Sequence, residues 1–332
     1  MNTHPAVAAV SIVARSPGLD IEAIECVVTL PTFRRPELLM ETLRSLIGQE
    51  TSRRFAVIVM DNDAEGRAGA DAARAIFEGG ELAGLVILAH ERGNCSAYNA
   101  GWQTALVSFP NFRHLLVIDD DEAAEPQWLE TMCATAERLG ADIVGGPQVP
   151  HFPTAEDAGW ARHPVFAPPY DRTARVGALY SSGNLLIGRR VLARMGPPFL
   201  DTRFNFMGGG DSDFLSRSSA RGFKLAWCAE AKVHEAIPAR RLEADWIRKR
   251  SLRNGVISTL VEKKKREDEP LGRLTVLARS FALLAASLPR GLMTAWRLRL
   301  PSAFAYPLYV ALGRLLAETG YTNEQYREPE KN

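Results

Sequence analysis

Short, nearly continuous apolar runs alternate along the first half of the chain with segments whose apolar positions recur at helical spacing. Runs at 24–30, 55–60, 85–89 and 115–118 predict strands, and the segments 36–47, 71–77 and 96–107 between them predict helices. Pro36 suits a first helical turn, where its missing N–H costs nothing. Strands alternating with helices imply βαβ units and a parallel sheet. After residue 144 the pattern loosens. The stretch 151–175 is rich in Pro and aromatics and reads as a long loop able to cover a substrate. Residues 179–187 resume as a strand interrupted by 181–184, 211–221 reads as a helix ended by Gly222, and 224–228 and 232–234 are short strands. A long basic helix over 242–265 and two or three amphipathic helices over 273–318, broken by Pro289 and Pro301, complete the chain. The expected layout is a loose leader over 1–22, an α/β domain over 23–260 and a C-terminal helical region over 261–332. There is no internal repeat.

Bulk composition narrows this picture. The 332 residues are 46% hydrophobic and 24% charged, enough for one packed α/β domain with an appendage. A net charge of +1 argues against a dedicated nucleic-acid binder. The balance is uneven: residues 238–300 hold 15 Lys/Arg against 6 Asp/Glu, so the C-terminal third is expected to meet an anionic partner. Cys26, Cys95, Cys133 and Cys228 form no CxxC pair, and three of them sit in apolar runs, as buried free thiols do. That usage fits a reducing, cytoplasmic setting. No basic segment precedes the mildly apolar residues 5–14, so no signal peptide is expected. No stretch reaches the roughly 18–20 apolar residues that span a bilayer; 274–288 comes closest, and Arg279 interrupts it.

The chemistry centres on Ile118-Asp119-Asp120-Asp121-Glu122, where a buried strand runs into four consecutive acids. Such close like charges repel unless something neutralises them. At the carboxyl edge of a parallel sheet a divalent cation bridging to a diphosphate would do so, through oxygen ligands; the plain alternative is a solvated acidic loop. The first strand ends in Pro31-Thr32-Phe33-Arg34-Arg35-Pro36 and the second in Asp61-Asn62-Asp63. Asp61 can accept the imide N–H of a uracil or thymine and Arg34 can meet phosphate, although ordinary turns use the same residues. Arg92 and Gly93 open the next helix, with Asn99 expected to face the same pocket; capping by Asn94 or Ser96 is the simpler role there. Gly208-Gly209-Gly210-Asp211 reads either as a close-approach loop bearing a carboxylate or as a flexible loop that Asp211 caps.

Taken in order, these segments resemble family 2 of the glycosyltransferases over about residues 24–260. That family shows a P-T-Y/F-N/R-R motif after the first strand and an acid after the second. An N/R-G-x-x-x-A-x-N-x-G segment follows, its last eight positions being 94–101 here, then a D-x-D motif matched by Asp119 and Asp121, then G-G-E-D-x-D/E, here Gly208 to Asp213 with Gly210 in place of the Glu. The resemblance implies a GT-A fold, Rossmann-like with a mostly parallel sheet, and an inverting transferase. Asp211 would be the catalytic base. Pro31, Thr32, Phe33, Arg34, Asp61, Arg92, Gly93, Asn99, Asp119, Asp120 and Asn184 would bind the nucleotide-sugar. Asp121, Asp119 and His234 would hold Mg²⁺ or Mn²⁺, and Arg240, Arg241 and Arg248 would steady the diphosphate. The overall layout is similar to bacterial exopolysaccharide glycosyltransferases of the succinoglycan type. That implies a UDP-linked hexose donor, with glucose the sugar expected on family grounds. The acceptor would be a saccharide on a polyprenyl diphosphate at the inner face of the cytoplasmic membrane. The basic C-terminal helices would lie peripherally on that surface or pack as ordinary helices. Two rivals are a sugar nucleotidyltransferase, disfavoured because 31–36 lacks glycine, and a non-catalytic carbohydrate-binding derivative.

Overall fold

The structure, a computed structural model, describes residues 9–321. It forms two compact units. One runs through Gln148 and resumes over Tyr170–His234; the other takes Val149–Pro169 and, of the described residues, 235–321. In chain order the first unit holds β1 (Val10–Arg15), β2 (Cys26–Thr32), α1 (Pro36–Ile47), β3 (Phe55–Asp61), α2 (Ala68–Glu78), β4 (Gly84–Ala89), α3 (Asn94–Ser108), β5 (His114–Ile118), β6 (Glu122–Ala124), α4 (Trp128–Leu139) and β7 (Ile143–Gly145). After β8 (Gln148–His151), at the boundary, come β9 (Ala174–Val176), β10 (Asn184–Gly188), α5 (Arg189–Met195), α6 (Gly210–Ala220) and β11 (Leu225–Trp227); β12 (Val233–Ala236) leads out again.

Among the described residues the main sheet has nine strands in the order β1-β4-β3-β2-β5-β10-β7-β11-β9. Six point the same way, and β1, β9 and β10 are antiparallel to their neighbours. The central strands are buried along their length because helices cover both faces, which is why their sequences read as unbroken apolar runs. Alternate residues such as Val28, Val57, Val86 and Leu116 pack with the buried faces of α1, α2 and α4. The opposite face receives α3, where Gly101 comes so close that a Cβ there would run into the thioether of Met60.

Three expectations change. Residues 10–15, read as part of a loose leader, form β1 on the antiparallel edge of β4. That strand is half-exposed, so it lacks the apolar run that marks the buried strands. The long basic helix, α7 (Ala244–Lys265), belongs to the second unit with α8 (Gly272–Ala285), α9 (Ser287–Leu298) and α10 (Tyr306–Leu316), whereas the sequence reading drew the division at 260. Glycines decide this: a Cβ at Gly255 would overlap the carbonyl oxygen of Val310, and one at Gly313 that of Leu252, so α7 and α10 touch backbone to backbone. Lastly, Pro289 lies inside the first turn of α9, where its missing N–H has no intrahelical partner to lose, and the break falls just before Ser287.

Because both glycines sit at that helix crossing, Gly255→Leu is expected to lower stability by about 1–3 kcal/mol through overpacking. Urea denaturation followed by circular dichroism would read this; an unchanged midpoint would contradict the close crossing.

Candidate active site

Register assembles the site. In the parallel pairing of β2 with β3, Thr32 stands opposite Asp61; in that of β2 with β5, Thr29 stands opposite Val117. Continuing three residues on brings Asp120 beside Thr32, whose hydroxyl donates to Asp120 Oδ2 at 2.8 Å. On the far side of β5, Asn184 of β10 pairs with Ile118. The polar ends of β2, β3, β5 and β10 thus meet at one edge, the place where open α/β sheets bind ligands.

Each carboxylate there is held differently. Asp119 accepts a 2.5 Å hydrogen bond from the buried Tyr98 hydroxyl, and its own backbone N–H donates to Glu122 Oε2 at 2.9 Å. Burial and the neighbouring Asp119 keep the Tyr98 phenol well above its usual pKa, so it stays a donor. Asp120 is buried, and the loss of solvent pushes its carboxyl up to about 6 despite Arg35. Arg35 Nη1 reaches Asp120 at 3.4 Å and Asp121 at 3.1 Å. Glu122 is fixed by Gln148 at 2.5 Å. Gly183 leaves a gap here: a Cβ would lie 2.8 Å from Glu122 Oε1 and 2.9 Å from Asp119 Oδ2. Hard oxygen donors of this kind suit Mg²⁺ or Mn²⁺, especially one that also takes phosphate oxygens. Among the described residues no three His, Cys, Asp or Glu side chains converge on a common metal position; Asp119 Oδ1 is met by Tyr98 and Asp121 Oδ2 by Arg35. His234 has a different neighbour from the one expected, its Nε2 lying 3.1 Å from Glu125 Oε1.

Beside the acids, the guanidiniums of Arg34 and Arg92 lie over the Phe33 ring, 4.9 and 5.1 Å from its centroid. Arg34, in a left-handed conformation, pairs with Asp63 at 2.6 Å and holds that carboxyl below its usual pKa. Asp61, expected to read a base, is instead fully buried. Its two oxygens take the N–H groups of Asp63 and Ala70 at 2.9 and 2.8 Å, and burial still raises its pKa. It anchors the start of α2, whereas Asp63 pairs with Arg34. Asn62 folds the next turn: it donates to the carbonyls of Ala89 and Glu91 and accepts from the N–H of Gly93 at 2.7 Å.

Two asparagines expected to face the ligand are bound to backbone. Asn99 exchanges hydrogen bonds with Leu200, its Nδ2 donating at 2.8 Å and its Oδ1 accepting at 2.9 Å. Asn184 donates to Pro147 and Ala231 and accepts from Trp128 Nε1 at 2.8 Å. The N-terminus of α3 is satisfied neither by Asn94 nor by Ser96 but by the distant Asn205, whose Oδ1 accepts from Ser96 N at 2.9 Å. Asn99 and Asn205 together tie α3 to the segment before α6. At its end, Gly208 and Gly209 adopt positive φ and Asp211 sits in the first turn of α6, its Oδ1 2.7 Å from Ser212 N. The missing Glu has a steric reason: a Cβ at Gly210 would strike the buried sulfur of Cys95. Asp213 is buried against Arg217 at 2.8 Å. In the second unit Arg241 pairs with Glu235, and Arg248 with Asp245 at 2.5 Å, while Arg240 lies in the 3₁₀ turn before α7. Sequence reasoning passed over Tyr98, Arg35, Asp63 and Asn205. Arg35 and Asp63 sat inside quoted segments, but nothing local marks Tyr98 or Asn205, whose partners are 21 and 109 residues away.

With this geometry established, comparison places the chain among known proteins. A family described as "Glycosyl transferase family 2" matches residues 27–195. Succinoglycan biosynthesis protein ExoM of Rhizobium meliloti (strain 1021) is 34% identical over 250 residues, covering 70% of this chain and 74% of that protein. Of solved structures, mannosyltransferase PcManGT from Pyrobaculum calidifontis, in complex with GDP-Man and Mn²⁺, is similar with a TM-score of 0.58 at 19% identity, covering 95% of this chain and 91% of the other. S. aureus TarS 1–349 in complex with UDP-GlcNAc follows at TM-score 0.51 and 12% identity, covering 90% and 92%. At those identities the structures speak for the fold alone.

The buried Asp120 yields a signed expectation. Its folded pKa of about 6 lies above the ordinary Asp value, so the fold favours the protonated acid. That contribution is complete below pH about 4 and lost as pH rises through about 6. Thermal melts should show Asp120→Asn gaining on the wild type across that window, by on the order of 2 kcal/mol. A pH-independent difference would contradict the burial of this charge.

Proposed function

The chain belongs to glycosyl transferase family 2 and has its GT-A fold, and from that premise we propose that it is an inverting transferase moving a hexose from a nucleotide-sugar to a saccharide hydroxyl. The observation that carries this reading is the double use of α3. Cys95 fills the space beside Gly210, next to Asp211, and Tyr98, three residues on and therefore on the same helical face, holds Asp119. One helical turn thus sets the carboxylate suited to proton removal against those suited to a divalent cation.

In this reading the nucleotide lies along Phe33, with Arg34 and Arg92 at its phosphates and Asp63 between them. Asp119 and Asp121 would hold the divalent cation, which supplies Lewis-acid neutralisation of the departing diphosphate. Asp211 accepts the proton of the acceptor hydroxyl, whose oxygen bonds to the anomeric carbon as the bond from that carbon to the phosphate oxygen breaks. One displacement inverts the centre, so an α-linked donor yields a β-linked product. The similarity to ExoM, a succinoglycan biosynthesis protein, supports a place in exopolysaccharide assembly, with a lipid-linked oligosaccharide acceptor at the cytoplasmic leaflet. UDP-glucose is the first donor to try, on the resemblance to succinoglycan-type exopolysaccharide enzymes.

Asp211→Asn should reduce transfer by about 10²–10⁴-fold while UDP affinity, read by calorimetry with Mn²⁺, stays within about twofold of wild type. Unchanged turnover would remove Asp211 as the base. Absence of turnover in the wild type with every nucleotide-sugar tried would favour the non-catalytic reading.

A further inference from the structure

Within the second unit, α8 and α9 expose large apolar residues that a helical domain built for water would bury. Along α8 the residues turned inward are small or short: Gly272, Val276 and Ser280; along α9 they are Ser287 and Gly291. The large apolar side chains point out. Trp296 is 81% exposed, Leu292 65%, Leu274 62%, Leu288 59% and Met293 56%. Leu288, Leu292 and Trp296 fall at four-residue intervals and form one stripe of α9. Inside the unit, by contrast, lies a charge. Arg314 of α10, 2% exposed, bonds to Glu262 at 2.7 Å, Ser258 at 2.8 Å and Ser280 at 3.1 Å. Isolated exposed leucines need no explanation, but a contiguous stripe of them beside a buried ion pair does.

Charge identifies what covers the stripe. Between Glu269 and Glu318 the chain contains no Asp or Glu. The arginines of α8 and α9, Arg273, Arg279, Arg290 and Arg297, with Arg299 just after, are all exposed. A second copy docking by this face would set like charges against each other. An anionic bilayer meets both needs, taking up the apolar stripe in its acyl region and the guanidiniums at its headgroups. The chain bends by 58° between the two helices, and neither alone is long and apolar enough to cross a membrane, although the bent pair together has the length and apolar character to do so; the arginines along both helices favour a position at the surface of one leaflet.

We propose that the bent α8–α9 pair is a monotopic membrane anchor that seats Leu288, Leu292, Met293 and Trp296 in the acyl region of an anionic leaflet. All these residues lie in the second unit, whereas the donor residues lie in the first, so membrane binding can be tested without sugar. The full chain is floated on vesicles of phosphatidylcholine with phosphatidylglycerol, and on phosphatidylcholine alone, without nucleotide. The wild type is expected to float with the anionic vesicles and at least about tenfold less without the anionic lipid. Brominated acyl chains should quench its fluorescence, and this quenching should be absent in Trp296→Phe. Leu288→Ser/Leu292→Ser/Trp296→Ser, all at exposed positions, should keep its circular dichroism and UDP binding yet lose flotation. Flotation of the triple variant at the wild-type level would overturn the anchor, as would a wild type that stays in the aqueous fraction. So would a wild-type dimer, seen by light scattering, that the triple variant dissolves without any lipid binding.

Discussion

Four carboxylates in succession at the end of a buried strand repel one another, and the surrounding structure is arranged around that repulsion. Asp119 is held by a phenol from α3, Asp120 by a hydroxyl from β2, Asp121 by a guanidinium from the turn after β2, and Glu122 by an amide from β8. Each comes from a different element, so the acid cluster and the packing of the sheet edge depend on each other. Hydrogen bonds to a charged acceptor contribute more than neutral ones, and leaving such a group unmet in a buried place is costly. The same partners fix the oxygens near one another, the arrangement that the proposed cation and diphosphate would use.

Helix α3 transmits that order to the other side of the site. Its N-terminus has no local cap, and the distant Asn205 supplies one, while Asn99 grips the backbone of Leu200. The segment leading to Asp211 is therefore bound to the helix that braces Asp119. Gly210 belongs to this joint. A glutamate at that position would need the room taken by Cys95, so α3 packs against the start of α6 where the family pattern has a side chain.

What could be read from residues alone follows from where their partners lie. The strands β2 to β5 were legible because both faces are buried, and α1 was legible to the residue because Pro36 marks its first turn. The acid cluster was legible as four adjacent charges after an apolar run. The edge strand β1 was not, since an exposed strand lacks such a run. Nor was the allegiance of α7, which rests on glycines 58 residues apart meeting across a helix crossing. Asn99, Asn184 and Asp61 show the same limit for side chains: an amide or carboxylate suited to a sugar or a base is equally suited to a backbone group, and only the fold assigns it.

The account rests on the carboxylates after Ile118 acting together with a cation to hold a nucleoside diphosphate. Calorimetric titration of UDP into the protein, with Mn²⁺ and with the metal chelated away, addresses this directly, with Asp121→Asn as comparison. Binding that requires the metal and is weakened at least about tenfold in the variant is expected. UDP affinity that is the same with and without metal, and the same in the variant, would contradict it.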